Sequence, residues 1–297
     1  MSDLAAFLVA KRAAGLSPAT LHWYEKFIRR YLDWSVSRQL PNKQPETVEA
    51  WLASLREQML SAFTVSGCYR CLSVYFKWLV RRGRLSASPM AQVQPPRLPK
   101  RRKRHVTASE FRKLYKSISG ASWCDHRDRA ILLILMYSGL RANELLALRP
   151  EHIDYTSELL HIVAGKGGQD RDVPFTTGVA DQLRAYLAAR PPYQGQRLFV
   201  ACAGRLDTVR GPLTYGGLRQ MMRRRCQAAG VPTINLHAFR HGYAMLFLND
   251  GGMELGLVSQ TMGHSSVEVT RRFYAEYATA TMRDRYHNAL DKIEAST

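Results

Sequence analysis

The chain is 297 residues long, room for about two domains at roughly 150 residues each, and its 46% apolar and 10% aromatic content excludes a disordered or fibrous polymer. The longest apolar run, Ala130 to Tyr137, falls short of the ~18 to 20 residues that span a bilayer. Against 24 Asp and Glu stand 43 Lys and Arg, a net charge of +19. This excess points to a polyanion, with nucleic acid ahead of an anionic membrane because no basic amphipathic tail stands apart; the alternative is simply a basic, solvated surface. Without a signal-peptide layout at the N-terminus, the expectation is a soluble cytoplasmic protein, nucleoid-associated and with no membrane partner. Five cysteines read as reduced thiols. The lone pair Cys68 and Cys71 lacks the second ligand pair that zinc needs, so both are expected as ordinary helix residues and no metal site is expected.

Along the chain, residues 1–90 read as helices only. Ser17-Pro18 is a helix start, an N-cap followed by proline at the first helical position. Tyr24, Phe27, Ile28 and Tyr31 then mark one apolar face. A second amphipathic segment runs from Glu46 to Met59, with Val48, Trp51, Leu52 and Leu55 on its stripe. A third runs from Phe63 to Arg82, with Leu72, Tyr75, Phe76 and Leu79. Its basic end, including Arg81 and Arg82, fits either a dipole-matched helix terminus or phosphate contact, and the overall charge favours the latter. Residues 95–105 form a linker. Pro95, Pro96 and Pro99 exclude helix, and Arg97, Lys100, Arg101, Arg102, Lys103 and Arg104 are six cations without an acid among them. They are expected to settle on DNA phosphates as two domains close around a duplex; a nuclear-import tag is the competing reading.

Residues 106–297 begin with a capping box, Thr107 and Glu110. A buried helix over Asp128 to Tyr137 follows and is broken at Gly139. Leu159–Ala164 and Arg171–Phe175 read as a strand hairpin around Gly165-Lys166-Gly167-Gly168. Helices are expected at Gly178–Ala189, Tyr215–Ala229, Ala238–Leu248, Leu255–Met262 and Val267–Tyr277, and a tail helix over Thr279–Glu294. The fold class is therefore mainly α with one small β-sheet.

Four separated motifs carry the chemistry. In Ser138-Gly139-Leu140-Arg141-Ala142-Asn143-Glu144, an arginine follows a glycine break at a helix N-terminus, where its fork can meet an anion, and Glu144 can reach back to hold it or cap the helix. Lys166 at the tip of a glycine-rich hairpin can reach into a groove; the spacing is not that of a nucleotide-binding loop, and a plain surface turn is the alternative. In His237-Ala238-Phe239-Arg240-His241, His237 and Arg240 share a helix face. The His237/His241 pair has no third metal ligand, and Arg240 between them would repel a cation. The fourth motif places His264 at a turn and Tyr274 on the helix after it. Two arginines, two histidines, a lysine and a tyrosine suit transfer of a phosphodiester to the tyrosine. The arginines would neutralise the nonbridging oxygens, the lysine would protonate the leaving alkoxide, and the tyrosine would attack.

With these motifs in this order, the whole chain resembles the tyrosine recombinase (phage integrase) family, whose catalytic domain is shared with type IB topoisomerases. The resemblance implies a helical core-binding domain (1–94), the linker (95–105) and an α+β catalytic domain (106–297) with a C-terminal tail helix that packs into a neighbouring protomer. It implies Arg141, Lys166, His237, Arg240, His264 and Tyr274 as catalytic residues and Glu144 as the support of Arg141. It further implies no cofactor, double-stranded DNA with inverted-repeat core sites as partner, a tetramer on DNA, and room for accessory proteins. Many members place the tyrosine nine residues after the histidine; here position 273 is Phe and Tyr274 lies ten after His264, a spacing also used by integrases of conjugative transposons. At this length a further arm-binding domain is not expected. The implied activity is site-specific recombination through a 3′-phosphotyrosine, without metal or ATP, for mobility of an element or resolution of multimers. A relaxing topoisomerase would use the same residues without paired sites, a non-catalytic regulator on this fold would not need all six, and a metallonuclease would need a carboxylate cluster.

Overall fold

The computed structural model describes residues 2–99, 104–163, 170–202, 208–264, 266–268 and 270–271. It divides into two compact units, Met1–Arg101 and Arg102–Thr297. Among the described residues no helix is long and apolar enough to cross a membrane.

The first unit holds four helices, α1 (Asp3–Ala13), α2 (Pro18–Ser37), α3 (Pro45–Glu57) and α4 (Ala62–Arg81). Serine side chains cap three of them: Ser2, Ser17 and Ser61 accept from the backbone N–H three residues on, satisfying donors that the first helical turn leaves open. The apolar stripes read in the sequence meet in one core. Ile28, Tyr31, Val48, Leu55, Leu72 and Leu79 are fully buried. Phe7 sits edge-on to Tyr24, Tyr75 and Trp78 with ring centroids 5.4, 5.3 and 5.6 Å away, a geometry that aligns ring edges with ring faces. Cys68 and Cys71 are buried on the inner face of α4, where burial pushes their thiols up to about 11 and about 12, so they are core residues.

In the second unit, helices α5 (Ala108–Lys116), α6 (Trp123–Ser138) and α7 (Ala142–Ala147) come first. Strands β1 (Ile153–Asp154), β2 (Leu159–Ile162) and β3 (Arg171–Pro174) form an antiparallel sheet. Helix α8 (Thr177–Ala189), a two-stranded sheet of β4 (Val200–Cys202) and β5 (Val209–Pro212), and helices α9 (Tyr215–Ala228), α10 (Leu236–Met245) and α11 (Leu255–Met262) follow. The expected capping box of Thr107 and Glu110 forms. A second one, Ser122 with Asp125, starts α6 five residues before the expected position. The second sheet is additional to the one expected, and α10 runs into a π-helical turn over Leu246–Asp250. Helix α6 is the spine: Ile131, Leu132, Ile134 and Leu135 are buried. At its N-terminal half Arg127 donates to Asp128 and to the Val200 carbonyl. Arg225 from α9 closes the network onto Asp128 and Asp125, so every charge there has a partner, as burial demands.

Candidate active site

The site is built where chain breaks bring distant elements together. Gly139 ends α6 in the left-handed region (φ +62°). A Cβ there would lie 2.6 Å from a ring carbon of Tyr243, so only glycine lets α6 turn this close to α10. The turn delivers Arg141 to the start of α7. The carboxylate of Glu144 accepts from the Arg141 backbone N–H (2.8 Å) and from its Nη1 (2.9 Å). Glu144 therefore both caps the helix and holds the guanidinium, the two roles the sequence left open. Arg141 Nη2 donates to the carbonyl of Gly263 (3.0 Å), linking the first and fourth motifs.

Arg240 comes from α10, on the turn after His237. Its Nη1 donates to the Gly139 carbonyl (2.7 Å), linking the third motif to the first. The side chain is buried at 1% exposure, and Nη2 has no partner among the described residues. Burial, and after it the nearby Arg141, pushes this guanidinium down to about 9. The site therefore opposes a cation that it nonetheless keeps. His264 shares a hydrogen bond between Nδ1 and the buried Thr270 hydroxyl (2.6 Å). Burial, then Arg240, Arg141 and His237, pushes it down to about 4, so the ring is neutral at neutral pH. His237 is exposed, and its ring lies edge-on to His241 at 4.5 Å between centroids. Thus Arg141, Glu144, His237, Arg240 and His264 are brought together; Lys166 and Tyr274 lie outside the described residues, as do Tyr277 and the expected tail helix.

The sequence reading passed over Arg171, the first residue of β3. Its Nε donates to the Thr261 carbonyl (2.7 Å), and Nη1 and Nη2 donate to the two oxygens of Glu144 (3.2 and 2.8 Å). Burial raises the Glu144 carboxyl, but the bonds from Arg171 and Arg141 outweigh it and hold the group below the usual carboxylate range. Among the described residues of the site, two guanidinium groups thus hold one carboxylate, with the Arg240 guanidinium in electrostatic reach of it, a cluster with spare positive charge suited to an oxyanion.

Of the residues expected on DNA, Arg81, Arg82 and Arg97 are exposed, with Arg82 over the Trp78 ring at 5.8 Å. Lys100, Arg101, Arg102 and Lys103 lie outside the described residues. Arg104 is engaged within the chain, where it donates to Glu110 (2.8 Å) and to the carbonyl of Thr233 (2.7 Å). Among the described residues no group of three or more His, Cys, Asp or Glu side chains stands together.

A mainly helical, two-unit chain whose second unit gathers arginines and histidines about one carboxylate can hold an oxyanion, and comparison with known proteins places the chain in a family. The model of the phage integrase family matches residues 104–280, and that of the phage integrase N-terminal SAM-like domain matches residues 4–83. Tyrosine recombinase XerA of Thermococcus kodakarensis is 28% identical over 257 residues, covering 86% of this chain and 84% of the relative. Tyrosine recombinase XerD of Ralstonia nicotianae is 29% identical over 282 residues, covering 91% and 87%. Among solved structures, the XerH site-specific recombinase bound to a palindromic difH substrate superposes with a TM-score of 0.73 at 20% identity, covering 96% of this chain and 84% of that one. The Tn1549 transposon integrase in complex with circular intermediate DNA gives 0.74 at 19%, covering 95% and 99%. The chain belongs to the phage integrase family of tyrosine recombinases, enzymes that cut and rejoin DNA strands.

Proposed function

We propose that this enzyme carries out site-specific recombination on double-stranded DNA through a 3′-phosphotyrosine intermediate. The observation that carries the reading is the buried guanidinium of Arg240. Its free Nη2 and the adjoining Arg141 make an anion site that the fold holds ready at the expense of desolvating a cation. A scissile phosphate placed there has its nonbridging oxygens neutralised as charge builds on them. The Tyr274 oxygen attacks phosphorus, its proton passing to His237. The 5′-oxygen leaves with a proton from Lys166, and His264, neutral, hydrogen-bonds a phosphate oxygen. The bond energy stays in the phosphotyrosine ester, and attack by the 5′-hydroxyl of a second strand reverses the step on new partners.

Structural neighbours were solved on a palindromic difH substrate and on circular intermediate DNA, which supports a duplex site with an inverted repeat; two such sites held by a tetramer are the working unit of the proposal. Two settings supply such sites: the ends of a mobile element and the junctions of replicon multimers. The test is to incubate the protein with a library of randomised nicked duplexes, capture covalent adducts under denaturing conditions, and sequence the DNA. An inverted repeat about a short spacer is expected, and its genomic position separates the two settings. Adducts with no common sequence, together with relaxation of supercoiled plasmid, would replace the recombinase reading with a topoisomerase-like one.

A further inference from the structure

Arg171 stands outside all four motifs, yet it holds the carboxylate of the first and the backbone just before the fourth. Its side chain is 7% exposed and that of Glu144 is 10% exposed. All three of its nitrogens donate: Nε to the Thr261 carbonyl, and the two η nitrogens to separate oxygens of Glu144. The same two oxygens accept from Arg141. The carboxylate is thus a bridge, with a buried guanidinium on one side and the half-exposed guanidinium of Arg141, 44% exposed, on the other. Arg141 alone would lose rotamer entropy on taking up one pose; a carboxylate already fixed by a second fork presents that pose in advance. The Thr261 bond extends the hold to the end of α11, two residues before Gly263, whose carbonyl receives Arg141, and three before His264. Close approach is built in here too: a Cβ on Gly263 (φ +64°) would lie 2.8 Å from Arg171 Nη1.

We propose that Arg171 is a positioning residue for strand transfer, which through the Glu144 carboxylate fixes the guanidinium plane of Arg141 and through the Thr261 carbonyl fixes the turn that carries His264. Enclosed and fully engaged, it acts through these groups and not on the phosphate. The inference rests on the recombinase chemistry proposed above.

The test uses the full chain and a nicked duplex bearing the captured site, with three measurements: single-turnover cleavage, DNA affinity and thermal melting. Arg171→Lys keeps the charge but cannot span both Glu144 oxygens and the Thr261 carbonyl. Cleavage should slow on the order of 10²-fold while affinity stays within about twofold. In a Glu144→Gln background the same change should cost less than about threefold, because the two residues act as one unit. Should Arg171→Lys fail to melt cooperatively, Arg171→Gln, which keeps a donor but cannot reach both Glu144 oxygens and the Thr261 carbonyl, should give the same split. Wild-type cleavage by Arg171→Lys, additive losses in the double variant, or a loss matched by a parallel fall in affinity and melting temperature would each overturn the proposal. A wild-type chain that forms no adduct would instead overturn the underlying reaction.

Discussion

Arg127 and Arg240 are both arginines buried in the second unit, and they show how burial separates structure from function. Arg127 is saturated by Asp128 and the Val200 carbonyl, with Arg225 completing the network. Arg240 keeps one bond, to the Gly139 carbonyl, and an open Nη2. Removing one partner of a paired, buried charge costs about 3–5 kcal/mol, whereas a buried cation that keeps a single bond already carries a desolvation penalty, which an apolar group of similar volume relieves. Arg127→Met should therefore lower stability by about 3 kcal/mol. Arg240→Met should leave it within about 1 kcal/mol or raise it, while slowing cleavage by at least ~10²-fold. Thermal melting with single-turnover cleavage checks both, and a strongly destabilised Arg240→Met would contradict the assignment. At this scale the sequence was legible where residues are marked by a chain break or by helical spacing: Arg141 after Gly139, Glu144 three beyond it, His237 and Arg240 on one face. Arg171 carries no such mark. In a chain with 43 cations, an arginine opening a short strand looks like any surface charge, and only the fold brings it onto Glu144.

Among the elements, α10 matters most because it carries His237 and Arg240. It lies against the segment before α5, where the Val106 N–H donates to the Ala238 carbonyl (3.1 Å). A Cβ on Gly242 would stand 2.8 Å from the Val106 carbonyl oxygen. In an open helix position Gly→Ala stabilises by roughly 0.5–1 kcal/mol; here backbone meets backbone, and overpacking costs about 1–3 kcal/mol. Gly242→Ala should thus destabilise and slow cleavage by displacing α10. Gly216→Ala in α9, where the nearest atom is 3.9 Å away, should stabilise. Denaturant melts of the two variants should move in opposite directions, and equal shifts would refute the packing argument. Helices with a strong apolar period were readable almost to their ends, α11 over Leu255–Met262 included. The start of α6 was missed because Trp123 to Arg127 breaks that period, although Ser122 and Asp125 spell a capping box. Strands β4 and β5 are three and four residues long, too short for alternation to show, although they pair only with each other among the described residues.

For the whole molecule, the charge excess and the segment between the two units bear on how DNA is held. The basic run was readable in composition, but the division of labour within it was not. Arg104 is committed to Glu110 and Thr233, so its loss should loosen the start of α5. The four cations before it, Lys100 to Lys103, are proposed to bind phosphates. Each phosphate left without its cation lowers the slope of log affinity against log salt by roughly 0.9. Neutralising the four should flatten the slope by up to about 3.6, equally on specific and random DNA, with little change in cleavage within a formed complex. An unchanged slope would remove the segment from the DNA-binding surface.

The central claim is that Tyr274 becomes esterified to a 3′-phosphate, and the most direct measurement is a denaturing gel of the protein with a nicked suicide substrate carrying the captured site, run with and without EDTA. The account predicts a shifted protein–DNA band for the wild-type chain that persists in EDTA. That band should be absent from Tyr274→Phe, which loses one hydroxyl and no charge and should bind the DNA nearly as well. A band of undiminished yield in Tyr274→Phe would move the nucleophile elsewhere, and cleavage abolished by EDTA would contradict the metal-free reaction.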